Sequence, residues 1–262
     1  MDFTNLTNPI ALLGLATLLA AGAALYLAAL TIFALVSLRR PRRRTYAYAV
    51  ARNVPGEPAE LDTPAEHTTT AVVCDLVGRE RIINTWTVTG DNPHGPTVIA
   101  THGWGSCRID MLSRFKALRP HAARVVLWDM PGHGDTPGVC TLAAREPADL
   151  ASIIASVAHP IDDEASTSMP PRIVLYGYSL GAEVTLKAMT RLTLADVNRT
   201  DIAGVILEAP YRRGITPAKA VMDASEFPRL LNLPLAMSIG SVLNGTPPNE
   251  RWHDSPSDTP HN

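Results

Sequence analysis

From Thr97 onward the chain alternates short, almost wholly apolar runs with longer stretches of helical character. No other feature limits its folding options as much. Residues 97–101, 124–128, 172–176 and 202–207 have the length and β-branched content of strands, and helices are predicted over 109–121, 147–158 and 180–194. Continuous apolar strands separated by helices predict an α/β chain with a doubly wound, mostly parallel sheet covered on both faces. In such sheets ligands bind beyond the carboxyl ends of the strands, so chemistry is sought in the residues that follow each run. Upstream, residues 70–76 and 82–88 predict an opening hairpin, set between the turn clusters Pro55-Gly56-Glu57-Pro58 and Asp91-Asn92-Pro93-His94-Gly95-Pro96.

Behind the third run stands Gly177-Tyr178-Ser179-Leu180-Gly181. A serine hydroxyl is a weak nucleophile unless it is exposed, aligned with a base and faced by oxyanion donors. Glycines on both sides allow a sharp turn with Ser179 at its apex, and the helix that follows aims its N-terminal N–H groups at the same point. Behind the first run stands His102-Gly103-Trp104-Gly105-Ser106, whose glycines keep the loop close to that turn. The backbone N–H groups of Trp104 and Leu180 form a natural oxyanion pair, and the Trp104 ring is placed to wall an acyl pocket. Each motif alone also reads as a plain glycine turn. Behind the second run, in Asp129-Met130-Pro131-Gly132-His133-Gly134-Asp135, Asp129 and His133 read as loop-shaping residues.

These three motifs, in this order, resemble the α/β-hydrolase superfamily, in particular its monoacylglycerol-lipase-like and serine aminopeptidase-like branch. The resemblance covers residues 82–211 and implies an α/β-hydrolase fold, a nucleophile at Ser179 and an oxyanion hole at Trp104 and Leu180. It implies ester or amide hydrolysis of a small molecule, with no cofactor or metal required.

In that family an acid and then a histidine follow two further strands. Here Glu208-Ala209-Pro210-Tyr211 closes the fourth run, residues 213–243 read as cap-like helices with Pro234 interrupting the second, and residues 244–262 form a polar, proline-rich tail. The fold is therefore expected to be C-terminally incomplete, leaving residues 202–207 as a hydrophobic edge unless the terminal helices cover it. Glu208 is the best-placed acid, and His253 or His261 in the tail are the candidate bases. Three readings follow: a truncated hydrolase, which is favoured, an enzyme with a rebuilt triad, or a non-catalytic binding protein.

Residues 9–38 carry no charged side chain and exceed the roughly 20 residues that a bilayer core requires. One transmembrane helix is predicted, after a short tail over residues 1–8. Arg39, Arg40, Arg42, Arg43 and Arg44 follow it directly and open a basic segment and linker over 39–69. By the positive-inside rule they stay cytoplasmic, with the N-terminus outside and the core domain, residues 70–212, in the cytoplasm. The cluster can also meet anionic headgroups of the lipid bilayer. Ala16, Ala20, Ala24 and Ala28 fall at four-residue spacing, which permits helix-mediated self-association, although an alanine-rich span without a partner explains them as well. A net charge of −2 argues against a nucleic-acid partner. Cys74, Cys107 and Cys140 lack metal-ligand spacing and read as free thiols of a reducing compartment.

Overall fold

The computed structural model describes residues 9–75, 80–158, 172–191, 202–211 and 215–245. An antiparallel hairpin, β1 (His67–Asp75) and β2 (Glu80–Thr89), precedes β3 (Thr97–Thr101), β4 (Arg124–Trp128), β5 (Ile173–Tyr178) and β6 (Ile202–Glu208). The sheet order is β1-β2-β4-β3-β5-β6; β2 is antiparallel to both β1 and β4, and the β4–β3, β3–β5 and β5–β6 pairs are parallel. Successive residues of a strand face opposite sides, and the core divides accordingly. Ile99, Val126, Trp128 and Leu175 meet α4 (Glu146–Ala158) and α5 (Leu180–Arg191) on one face. Val98, Ala100, Val125 and Leu127 meet α3 (Leu112–Leu118) on the other. Both faces are buried, which is why the inner strands read as unbroken apolar runs.

The helix predicted over 109–121 is shorter, because the chain turns through Ile109–Met111 and tightens into a 3-10 turn at Arg119–His121, where Pro120 has no N–H to give. Pro234 does not interrupt a helix. It lies in the first turn of α7 (Asn232–Asn244), where a missing N–H leaves nothing unpaired, and Phe227 to Leu231 precede the helix as irregular backbone. Helix α6 (Ile215–Ala224) and α7 do not cover β6. They pack on the long N-terminal helix α1 (Pro9–Arg39) through Ala34, Leu38, Met222, Leu233 and Met237, and Phe33 stacks on Phe227 at 4.2 Å. Strand β6 is an edge among the described strands, with Val205 and Ile206 exposed.

Helix α1 has 31 residues and is about 46 Å long; its length and composition suffice to cross a membrane. The arginines behind it are not all free for headgroups. Arg39 donates to Asn244 at 3.0 Å, Arg43 donates to the Thr136 carbonyl, and Arg44 pairs with Asp110 at 3.0 Å, while Arg40 and Arg42 are exposed. A short helix α2 (Tyr46–Ala51) then leads toward the sheet.

Candidate active site

Strand β5 runs through Gly177 and Tyr178, and the chain turns at Ser179 into α5. Ser179 holds φ at +52°, a conformation costing a non-glycine residue on the order of 1–3 kcal/mol. Its N–H donates to the Glu208 carbonyl at 2.9 Å, and its carbonyl accepts from Ala182 N–H at 2.9 Å, so both sides of the strained residue are tied. The flanking glycines are required by space. A Cβ on Gly177 would stand 2.5 Å from the Gly181 carbonyl oxygen, and one on Gly181 would stand 2.2 Å from that of Thr101.

The loop after β3 lies against this turn: a Cβ on Gly103 would be 3.3 Å from the Ser179 Cβ. Gly105 turns the loop at φ +70°. Leu180 opens α5, where first-turn N–H groups have no intrahelical acceptor. Trp104 donates its indole N–H to the Leu38 carbonyl at 2.8 Å, tying the loop to the end of α1. Leu38, Trp104, Leu142, Leu180, Tyr211 and Ala218 enclose a cavity of about 30 Å³. Trp104 thus walls a pocket, but one with room for a water or two rather than an acyl chain, because Leu38 and the α6 side chains fill it. Burial beside Glu183 pushes the Tyr211 phenol well up.

His102 is wholly buried. Its Nε2 accepts from Met130 N–H at 2.9 Å, which leaves Nδ1 to donate to the Gly103 carbonyl at 2.8 Å. Burial pushes it down to about 4, so it is a neutral brace between the two loops. His133 packs edge-on against it at 4.9 Å and is pushed down to about 3 by burial. Asp129 accepts from Arg108 N–H at 2.6 Å and Asp135 N–H at 3.1 Å, holding its loop closed.

Glu208 stands beside the turn, but its carboxylate is taken. Arg114 donates from Nε at 3.1 Å and from Nη2 at 2.8 Å, Tyr176 donates its hydroxyl, and the Arg114 guanidinium lies 3.9 Å from the Tyr178 ring centre. Arg114, Tyr176 and Leu38 escaped the sequence reading, since their partners are remote and no local pattern marks them. His253 and His261 lie outside the described residues. Cys107 and Cys140 are free and buried; burial pushes Cys107 up to about 12. Among the described residues no three His, Cys, Asp or Glu side chains gather as a metal site.

Residues 98–261 match the profile of the Alpha/beta hydrolase family, more than half of the chain, and the chain belongs to that family. It is 28% identical over 153 residues to the biotin biosynthesis bifunctional protein BioHC of Cellvibrio japonicus (strain Ueda107). That match takes in 57% of this chain and 28% of the relative, so the chain spans under a third of the curated relative's length. Among solved structures, the Pyrococcus furiosus esterase Pf2001 aligns with a TM-score of 0.50 at 19% identity, covering 74% of this chain and 64% of that one. A second crystal form of the esterase covers 80% and 70%, also at a TM-score of 0.50. At such identity the likeness establishes the shared fold.

Proposed function

We propose that this chain is a membrane-anchored serine hydrolase that cleaves ester or amide bonds through an acyl-enzyme on Ser179. The observation that carries the reading is Ser179 itself, held at φ +52° between β5 and α5 with the Gly103 loop against it. Its Oγ attacks the substrate carbonyl carbon while a base takes its proton, and the N–H groups of Trp104 and Leu180 donate to the oxyanion. The base returns that proton to the leaving group, and a water it activates then cleaves the acyl-enzyme. His253 or His261 serves as base, with Glu208 as acid once Arg114 yields its carboxylate. Helix α1 is the anchor, with Arg40 and Arg42 on the cytoplasmic side by the positive-inside rule. The apolar lining at Leu38, Leu142 and Leu180 favours hydrophobic acyl groups, which enter once Leu38 and the α6 side chains that fill the cavity move aside.

A fluorophosphonate probe is expected to label the full chain in membranes and to leave the Ser179→Ala variant unlabelled. Absence of labelling on well-folded protein would sink the proposal.

The hydrogen-bonded, neutral His102 and the engaged carboxylate of Glu208 favour a second reading, a non-catalytic binding protein of the same fold. That reading requires an unlabelled Ser179 and a ligand affinity that Ser179→Ala leaves unchanged.

A further inference from the structure

Helix α7 is apolar on two faces. One, through Leu233, Ala236, Met237 and Gly240, is buried against α1 and α6. The other, through Leu235, Ile239, Val242 and Leu243, is exposed, and the preceding Leu230 is 86% exposed. No charged residue occurs from Leu230 to Gly245. A helix with apolar residues on both faces fits burial in protein or a membrane better than water, and the outer face of α7, where Ser238 interrupts the apolar residues, has no protein cover among the described residues.

The position of α7 decides between these. Its lead-in and its last residue meet α1 in chain order, Phe227 before the helix stacking on Phe33 and Asn244 at its end bonded to Arg39. The exposed apolar surface of α1 does not stop short of this contact: Ile32, Phe33 and Val36 remain outward-facing alongside α7, directly before the arginines. The two helices therefore present one continuous apolar surface at one level. Near its tip lies an open cleft of about 570 Å³, walled by Phe227, Leu230 and Leu233 together with the cations Lys219 and Arg229. Arg229 is neutralised by Asp223 at 2.5 Å, which lowers the cost of holding charge near lipid.

We propose that the α6–α7 hairpin is a second lipid-binding element, its outer α7 face set in the leaflet on the arginine side of the bilayer that α1 crosses. This rests on the reading of α1 as a membrane span. Interfacial helices bury an apolar face several ångströms into the headgroup–acyl boundary. The hairpin also supplies Pro217, Ala218 and Val221 to the cavity beside Leu180, so the membrane surface adjoins the candidate site.

The test places an environment-sensitive fluorophore at single positions of the full chain in phosphatidylcholine–phosphatidylglycerol vesicles carrying spin-labelled lipid. Cys107 and Cys140 are buried, and Cys74 is replaced by serine. Labels at Leu18→Cys, Leu230→Cys, Leu235→Cys and Val242→Cys are expected to lose most of their emission, Leu230 to deeper quenchers than Val242, while Asp62→Cys on the body keeps its emission. Quenching at Leu18 without quenching at Leu235 and Val242 overturns this proposal and leaves the anchor standing. A blue-shifted α7 emission that ignores lipid quencher and reverts on dilution of the protein also overturns it, in favour of a second copy. No quenching at Leu18 overturns the anchor reading and this proposal with it.

Discussion

Ser179 keeps a left-handed backbone at φ +52°, and the glycines on either side of it have no room for a side chain. A methyl group on Gly181 would collide with the Thr101 carbonyl at 2.2 Å, with rigid backbone on both sides. Gly181→Ala is expected to cost about 3 kcal/mol or more by chemical denaturation, at the upper end of overpacking penalties. The buried histidines make stability depend on pH. The folded values of His102, about 4, and His133, about 3, lie below the ordinary 6.5, so the unfolded chain takes up protons first. Their contribution is whole above pH 6.5 and falls as pH drops toward 4, on the order of 3 kcal/mol per ring. Asp149, paired with Arg81 yet pushed up to about 7 by burial, acts oppositely: its contribution is whole below pH 3.8 and lost above 7. The histidine part is therefore read as a difference. Between pH 7.5 and 4.5 the melting temperature of the His133→Phe variant should fall less steeply than that of the parent, and equal slopes would refute this. Ser179 and its glycines were legible in the sequence because a tight turn needs only residues next to one another. The bracing role of His102 was not, because it depends on a Met130 N–H delivered by another loop.

At the scale of elements, the strands were readable where burial on both faces leaves nothing but apolar residues. β3 and β4 coincide with their predicted bounds, and β5 extends two residues further, into the turn. Helix ends were less legible. Pro120 and Pro234 each act through a missing N–H whose effect depends on where the helix begins. Strand β6 carries exposed Val205 and Ile206 at the sheet edge, a template for pairing with another chain. Ile206→Lys is expected to lower light scattering on heating while costing under about 1 kcal/mol of stability. Unchanged scattering would show that the edge does not drive association.

Across the whole molecule, α1 is both a candidate anchor and a wall of the cavity beside Leu180. Leu38 is 2% exposed, lines that cavity and offers its carbonyl to Trp104. Leu38→Ala is expected to cost about 3 kcal/mol, as truncation of a buried leucine does. It should also speed labelling of Ser179 by bulky alkyl fluorophosphonates; an unchanged rate would separate α1 from access to the site. The sequence by itself determined the alternating α/β order, the long uncharged helix, the turn at Ser179 and the loop after β3. Each of these is a pattern along a continuous stretch of chain, where periodicity and backbone sterics act. Only the tertiary structure decided that Arg114, 94 residues away, holds Glu208, and that Leu38, 66 residues away, meets Trp104. Those pairings arise when a half-buried polar group finds a partner in space, and sequence distance does not enter that requirement.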